Sequence, residues 1–250
     1  MDARDWDALA GDFDRDVFDP TGTDGHGDFA RALRRVGRVE LAVDLGCGTG
    51  RLLPRLARRA THVVGLDFAP ALLRAAAART AGSDRIAVRR ADLARPLRKP
   101  RGAGLVACTN VLLSPDDGVR HRILRNARNM LRPRGELVLV VPALESALWL
   151  NNRIVAWNER AGLRGARALR GGIASDRATA RDLLRGVVDQ GGVRTKHFLR
   201  EELHEVLRGT GFAPEETGRV VYPWDAYLER PPRWLGEAGP WDWVVRATRA

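Results

Sequence analysis

The sequence predicts an α/β protein of three layers, with helices on both faces of a mostly parallel sheet. Two apolar runs, 40–43 and 62–67, have strand character, and segments with helical spacing follow at 52–60 and from Pro70 onward. Shorter apolar runs at 86–88 and 105–110 continue the series. Because strands alternate with helices along the chain, we expect crossover connections and parallel strands.

The first strand ends in Asp44, and a turn with three glycines at alternate positions follows it directly: Gly46, Gly48 and Gly50. Glycine lets a backbone turn sharply and approach a ligand, because it has no Cβ. The helix that begins after the turn presents free backbone N–H groups to polar ligand atoms. A strand, a glycine turn and a helix in this order predict a nucleotide-binding unit.

The spacing of the glycines excludes two kinds of nucleotide site. In the dinucleotide fingerprint G-x-G-x-x-G the third glycine would stand where this chain has Arg51. This argues against NAD or FAD. A phosphate-binding P-loop needs Gly-Lys followed by Ser or Thr, and the turn lacks that sequence.

Acid-x-Gly-x-Gly-x-Gly at the end of strand one resembles the first motif of the class I S-adenosylmethionine (SAM) dependent methyltransferases. The resemblance is specific over about 44–142 and weaker beyond. It implies a Rossmann-like sheet of seven strands, SAM as cofactor, S-adenosylhomocysteine (SAH) as product and no metal. It also implies in-line displacement of the methyl group. The residues of the turn that we expect at the cofactor are Asp44, Gly46, Cys47, Gly48 and Gly50.

Polar residues that end later strands extend the expected cofactor site. Asp67 ends strand two, where a carboxylate can accept both ribose hydroxyls; a helix N-cap is the alternative. Phe68 beside it could pack on adenine or in the core. Asp92, with Leu93, follows strand three, where the resemblance implies a contact to the adenine amino group; a solvated turn is the alternative. Asn110 ends strand four, near the sulfonium or the substrate.

The remaining chain is expected to complete the sheet. Residues 131–136 resemble the family's turn before strand five, predicted at 137–141, and the last strands are predicted at 219–222 and 243–248. We therefore divide the chain into four parts: an N-terminal arm or lid (1–35), a SAM-binding core (36–142), a helical insertion that caps the substrate (143–197), and the completion of the sheet (198–250).

The insertion and the aromatic tail supply the expected substrate contacts. A helix is predicted over 145–161 and a second one near 176–186. Long loops at this edge of a sheet tend to be functional, although a dimer face or an extra core layer would also explain the insertion. The candidate substrate residues are Trp149, Tyr222 and Trp224, and the alternative for the tail is a hydrophobic clamp. The candidate general bases are His26, His197, Glu145 and Asp225, of which we choose His197.

Composition limits the cell compartment and the partners. The chain has 250 residues, two cysteines and no apolar stretch long enough to span a membrane. No signal peptide is recognised, and a cytoplasmic location is expected. The formal charge of +11 comes almost wholly from 40 arginines spread over the predicted helices, and only two lysines are present. Because the positive charge is dispersed, nucleic acid is not the expected partner.

The acidic residues concentrate at the N-terminus. Residues 1–28 contain nine aspartates and two arginines, together with Trp6, Phe13 and Phe18. Such an arm could fold over the basic body as a lid, because its aromatic side chains give it something to bury. A loose charged terminus is the alternative.

Three functions remain open from the sequence. The first is a methyltransferase that acts on a small molecule through an O, N, S or C atom. The second is a nucleic-acid or protein methyltransferase, against which Asn110-Val111-Leu112-Leu113 speaks, because base amino-methylation usually involves Asn/Asp-Pro-Pro-aromatic there. The third is a non-catalytic SAM-binding protein. The oligomeric state is open.

Overall fold

The computed structural model describes residues 26–171, 180–190 and 192–250. Nine strands lie within this part of the chain: β1 (Val39–Leu45), β2 (Ala60–Asp67), β3 (Ile86–Arg90), β4 (Ala103–Thr109), β5 (Leu131–Pro142), β6 (Val187–Gln190), β7 (Val193–Lys196), β8 (Phe212–Val221) and β9 (Trp241–Arg249). The α-helices are α1 (Asp28–Arg35), α2 (Leu53–Ala57), α3 (Pro70–Thr80), α4 (Asp117–Met130), α5 (Leu144–Arg160), α6 (Ala180–Leu184) and α7 (Arg200–Gly209).

Seven of the strands form one sheet in the order β3-β2-β1-β4-β5-β9-β8. The first five in chain order pair in parallel, and β9 is antiparallel to both β5 and β8. Pro142 at the end of β5 pairs with Asp242 at the start of β9. The ends of the parallel strands and the start of β9 therefore share one border, called the carboxyl edge below. The predicted mostly parallel, seven-stranded sheet is confirmed.

Helices cover both faces of this sheet, as predicted. On one face, apolar residues of α1, α2 and α3 pack on alternate side chains of β1, β4 and β5. On the other face, α4 and α7 pack on the intervening side chains. Strand β4 is buried along Leu105–Cys108 because helices cover it from both sides, and this explains its continuous apolar sequence.

Most strands extend beyond the ranges that the sequence indicated, and the differences matter most in the last three strands of the sheet. β8 begins at Phe212 instead of 219, because its first half pairs with β9 through charged residues that have no apolar pattern. There Arg246 of β9 forms ion pairs with Glu136 at 2.5 Å and Glu215 at 2.6 Å. β5 begins at Leu131, and the predicted turn is the irregular part of this strand, with Arg134 at a φ of 58°. β9 likewise runs over Trp241–Arg249 instead of 243–248.

The insertion after β5 is only partly helical, and this corrects the expectation for 143–197. α5 forms where a helix was predicted, and the second predicted helix corresponds in the described residues to the short α6. Strands β6 and β7 form an antiparallel hairpin that was not predicted. Its residues Val187, Val188, Val193 and Thr195 are β-branched, and such residues favour strands over helices.

The hairpin is fixed to the carboxyl edge by the residues that leave β7. The backbone N–H of Lys196 donates to the Leu113 carbonyl, and that of Phe198 donates to the Pro142 carbonyl. The Lys196 side chain is 2% exposed, and its Nζ donates to Glu202 Oε1 at 2.5 Å and to the Arg185 carbonyl at 2.9 Å. Because a buried ammonium group needs such partners, the hairpin has a defined place beside the ends of β4 and β5.

Candidate functional site

The glycine turn between β1 and α2 has the left-handed backbone that its sequence predicts. The φ angles are 69° at Gly46, 52° at Gly48 and 79° at Gly50. A Cβ on Gly46 would lie 2.5 Å from Val111 Cγ2, and one on Gly50 would lie 3.0 Å from the Cβ of Ala76. Glycine is therefore favoured at all three positions by conformation, and at Gly46 and Gly50 by space as well, so the turn exposes backbone and no side chain there at the carboxyl edge.

Asp67, at the end of β2, holds this turn in place. Its Oδ2 accepts a hydrogen bond from the Gly48 N–H at 2.9 Å, and its Oδ1 accepts one from the Ala69 N–H at 3.0 Å. The side chain thus lies beside the glycine turn and also satisfies a backbone group at the start of α3. A carboxylate oxygen can accept more than one hydrogen bond, so these contacts are compatible with the predicted role toward a ribose.

Asp44 is the most deeply buried carboxyl group of the turn, at 1% exposure. Its Oδ1 is buried without a hydrogen-bond partner among the described residues. Burial, reinforced by the nearby negative charge of Asp67, raises the pKa of Asp44 to about 8. An orphaned buried oxygen of this kind is costly in a folded protein, and its position beside the glycine turn points to a ligand that donates to it.

The raised pKa predicts a pH-dependent stability. In the unfolded chain an aspartate is ionised above pH 4, whereas folded Asp44 keeps its proton up to about pH 8. The free energy of unfolding therefore falls as pH rises from about 4 to about 8. We expect Asp44→Asn to stabilise the ligand-free protein relative to wild type more at pH 8.5 than at pH 5, by at least about 1.4 kcal/mol, the equivalent of one pKa unit. Urea denaturation at both pH values measures this difference; an equal difference at the two would contradict it.

The loop after β3 contains Asp92 and Leu93 and is fixed by a residue that sequence reasoning missed. Asp92 is half-exposed; its Oδ1 accepts from the Ala94 N–H at 2.9 Å. The amide of Asn126 on α4 donates to the carbonyls of Leu93 at 2.9 Å and Arg95 at 2.7 Å, and it accepts from the N–H of Leu97. A buried asparagine in an amphipathic helix was the available signal.

Removing this amide should displace the loop. Asn126 itself lies behind the loop, but the substitution removes about three hydrogen bonds of roughly 1 kcal/mol each that hold the loop in place. We therefore expect Asn126→Ala to weaken SAH binding several-fold. Calorimetric titration with SAH measures this effect. Thr80, also buried on a helix, donates its hydroxyl within its own helix to the Ala76 carbonyl. Thr80→Ala is therefore the control, and an equal loss of affinity in both variants would contradict a role specific to the loop.

Asn110 follows β4 at the carboxyl edge, in the left-handed region with a φ of 54°. Its side chain forms hydrogen bonds with Tyr222 and Asp242, and its Oδ1 is buried without a partner among the described residues. Tyr222 is fully buried and donates its hydroxyl to Asp242 Oδ2 at 2.7 Å. The structure thus brings two predicted site residues together and adds Asp242, which sequence reasoning missed because it begins an otherwise apolar strand.

Aromatic residues of the insertion and of the segment between β8 and β9 meet above this edge. Trp149 on α5 donates its Nε1 to the Ala238 carbonyl at 3.0 Å, and Trp224 donates to Gly236 at 2.9 Å. The guanidinium group of Arg153 lies 5.1 Å from the Trp149 ring centroid and 4.8 Å from that of Trp234. These contacts join α5 to the 222–240 segment as a roof, and Trp149 and Trp224 belong to it.

The candidate bases lie in different environments. His197 is 3% exposed beside the hairpin, with its Nδ1 3.1 Å from the Thr195 carbonyl, and burial lowers its pKa to about 4. Such an imidazole is neutral but only weakly basic. Glu145 accepts from the Arg200 N–H and the Trp243 indole, so it supports the structure. Asp225 and His26 are exposed. His197 stays a prediction, and the geometry does not strengthen it.

Two further residues of the expected cofactor site are placed as follows. Cys47 is buried, and its Sγ would lie 2.9 Å from a Cβ on Gly65 of β2, so the thiol occupies the space that this glycine leaves. Phe68 follows β2 and is half-buried. The Cys47 backbone, whose N–H donates to the Leu66 carbonyl at 3.0 Å, belongs to the turn itself.

Comparison with known proteins agrees with this geometry. Residues 42–135 match the family model of a methyltransferase domain. A SAM-dependent methyltransferase from Mesorhizobium loti is 24% identical, with a TM-score of 0.61 over 92% of this chain and 100% of that one. N-methyltransferase NodS from Bradyrhizobium japonicum, in complex with SAH, is 14% identical, with a TM-score of 0.63 over 99% and 97%.

A third solved structure aligns over a similar extent. It is the 1,6-didemethyltoxoflavin-N1-methyltransferase of Burkholderia thailandensis, with bound 1,6-didemethyltoxoflavin and SAH. It is 18% identical, with a TM-score of 0.64 over 99% of this chain and 87% of that one. No curated protein matches the chain.

The chain therefore has the fold of the solved SAM-dependent methyltransferases, and its residues 42–135 are similar to a methyltransferase domain. Within its described residues, no helix combines the length and apolar character that crossing a membrane requires. The same residues contain no group of three or more His, Cys, Asp or Glu side chains placed to hold a metal ion.

Proposed function

We propose that the protein transfers a methyl group from SAM to a small-molecule acceptor and releases SAH. The observation that carries the proposal is the glycine turn beside two buried carboxyl groups. Gly46 leaves no space for a Cβ, and Asp44 presents an orphaned buried oxygen. A backbone cradle and a hydrogen-bond acceptor suit a nucleoside that carries an amino acid, so the residues present fit SAM. When bound, the cofactor supplies an activated methyl group, so the protein need not supply a nucleophile.

Each residue at the edge would then contribute binding or orientation. The cofactor contacts we propose are those expected from the sequence on the glycine turn and the ends of β2 and β3: Asp44, Gly46, Cys47, Gly48, Gly50, Asp67, Phe68, Asp92 and Leu93. Asn110 was expected near the sulfonium or the substrate, and its backbone after β4 lies where the two would meet. Asp67 is held in a fixed orientation by two backbone N–H groups, which favours a well-defined contact to ribose hydroxyls. Positioning of the two reactants can supply roughly 7 kcal/mol or more of the barrier in such a displacement.

The roof over the carboxyl edge favours a small acceptor over a polymer. Trp149 and Trp224 both donate indole N–H groups to the segment between β8 and β9, so this segment and α5 are tied together above the edge. Such a tied cover suits a metabolite, whereas nucleic acid needs an open basic groove. A cytoplasmic location is part of this proposal, as is the absence of a nucleic-acid partner.

The N-terminal part of the chain is proposed to act as a lid. Residues 1–25 lie outside the described residues, but α1, which follows them, has a defined place. Asp28 at its start accepts a hydrogen bond from the Arg219 N–H of β8 at 2.8 Å, two residues before β8 ends at the carboxyl edge. The start of α1 therefore lies near this edge. We expect deletion of residues 1–25 to raise the SAM dissociation rate, as measured by stopped-flow fluorescence; an unchanged rate would leave the segment a tail.

The decisive test of the function has two stages. Calorimetric titration with SAM, SAH and NAD should give micromolar binding of SAM and SAH and none of NAD. Transfer of tritiated methyl groups is then measured on metabolite pools, on total RNA and DNA, and on protein extracts. Label in the metabolite fraction supports the proposal; label in nucleic acid or protein would favour the second function. Absence of SAM binding would favour the non-catalytic alternative.

A further inference from the structure

The polar cluster beneath the roof consists of Asn110, Tyr222 and Asp242. The Tyr222 hydroxyl donates to Asp242 Oδ2 at 2.7 Å, and both side chains also form hydrogen bonds with the Asn110 side chain. Exposure is 0% for Tyr222 and 7% for Asp242. A buried carboxyl group with such partners is held in one orientation, and it holds its partners in turn.

The hydrogen bonds of this cluster use only one end of the asparagine amide. An amide group donates through nitrogen and accepts through oxygen. Because the carboxylate of Asp242 accepts hydrogen bonds, the amide group of Asn110 must donate to it through its nitrogen, Nδ2, which therefore faces the cluster. Its Oδ1 is buried with no hydrogen-bond partner among the described residues. The φ of 54° places this residue in a backbone conformation that asparagine tolerates better than most residues. The protein thus maintains a buried, oriented and unused acceptor atom.

The partners of Asn110 come from strands that lie across β4 from the glycine turn in the strand order. In the strand order, β1 and β2 carry the turn and Asp67, and β4 stands between them and β5, β9 and β8. Asn110 leaves β4, and its partners come from the start of β9 and the end of β8. Its side chain therefore reaches partners that lie across β4 from β1 and β2, at the ends of the strands that the 222–240 segment joins.

We propose that Asn110 Oδ1 accepts a hydrogen bond from an N–H or O–H group of the methyl acceptor, and that Asp242 is the positioning residue that orients the amide for this contact. The inference rests on the proposed function and narrows its acceptor class. This hydrogen bond selects amines, amides and hydroxyl compounds over methyl acceptors that have no N–H or O–H group. A site with a buried hydrogen-bonding group discriminates strongly against a ligand that leaves it unpaired.

The orientation of the amide should depend on the charge of Asp242. Burial raises the pKa of Asp242 to about 6, and the groups that face it are Tyr222 beyond β8, Tyr227 in the following segment and Asn110 beyond β4. Neither tyrosine is charged below pH 8, because burial and Asp242 raise the pKa of both well above 10. At pH 8 the ionised carboxyl group accepts from Asn110; at pH 5 it is protonated and this preference weakens.

The experiment uses matched probes, because the acceptor itself is unidentified. Phenol with anisole and aniline with N,N-dimethylaniline are pairs that differ in donor hydrogens. Their affinities for the SAH-loaded full chain are measured by ligand-observed NMR at pH 8 and pH 5. The variants are Asn110→Gly, which suits the positive φ, Asn110→Asp, which keeps an acceptor oxygen, and Asp242→Asn. Calorimetric binding of SAH by each variant is the control for folding.

We expect wild type at pH 8 to prefer each donor probe over its methylated partner by about fivefold, the effect of one hydrogen bond of roughly 1 kcal/mol. The preference should fall at pH 5, disappear in Asn110→Gly, persist in Asn110→Asp, and lose its pH dependence in Asp242→Asn. The inference would be overturned if wild type bound no probe or showed no preference. It would also be overturned if the preference survived in Asn110→Gly. Failure of SAH itself to bind would instead overturn the proposed function.

Discussion

Gly46→Val is expected to reduce SAH affinity by more than about 100-fold, or roughly 2.7 kcal/mol. A Cβ at this position lies 2.5 Å from Val111 Cγ2, closer than real side chains approach, and the φ of 69° is unfavourable for a β-branched residue. The turn must therefore shift, and its backbone surface at the carboxyl edge is lost. Calorimetric titration with SAH measures the affinity.

A matched glycine separates this effect from simple backbone strain. Gly37 has a similar φ of 76°, but nothing lies within 4 Å of the space that its Cβ would occupy. Gly37→Val should therefore lose a comparable amount of stability from the conformation alone and bind SAH as wild type does. Equal SAH affinity in the two variants would show that the turn after β1 is not the cofactor site.

Asp67→Ala is expected to reduce SAH affinity by roughly 10- to 100-fold, corresponding to about 1.5–3 kcal/mol. The substitution removes the acceptor of the Gly48 and Ala69 N–H groups and also the proposed contact to the ribose. Stability should fall as well, because two backbone donors lose their partner. Asp67→Asn keeps one acceptor oxygen and should give a smaller loss in both measurements.

Asp116 provides the control for the local structural role. It is the N-cap of α4, and its carboxylate accepts from the Gly118 and Val119 N–H groups, as Asp67 accepts from two backbone donors. Asp116→Ala should cost about 1 kcal/mol of stability, the usual value for a cap, without changing SAH affinity. If Asp67→Ala changed only stability in the same way, Asp67 would be a structural residue and not part of the binding site.

The geometry of the proposed cofactor site could be predicted because its residues are local in sequence. The turn requires glycine within five consecutive positions, Gly46–Gly50, and Asp67 stands at the end of the next strand. Parallel strands bring such ends together whatever the rest of the chain does. The left-handed conformation of the turn followed from this pattern, whereas the contact between Asp67 and Gly48 was not predicted.

The acceptor half was harder to predict because its contacts are long-range. Asp242 lies among tryptophans and valines, where a strand residue facing the core would be apolar, and only its pairing with Pro142 places it at the carboxyl edge. The hairpin of β6 and β7 was missed for a related reason, since its short strands form outside the main sheet. Tyr222 was predicted to contact substrate directly, whereas the structure buries it beneath Asn110 and Asp242.

The position of β9 has a consequence for the order in which the enzyme assembles. β8 precedes β9 in the chain, but its hydrogen bonds to the sheet run only through β9, which lies between β8 and β5. β5 and β9 are also far apart in sequence, and closing such a long loop is slow. During synthesis β1 to β5 can pair as each emerges, whereas β8 must wait for Trp241–Arg249. The part of the sheet that holds the glycine turn is therefore expected to form on the ribosome before Asp242 and its partners come together.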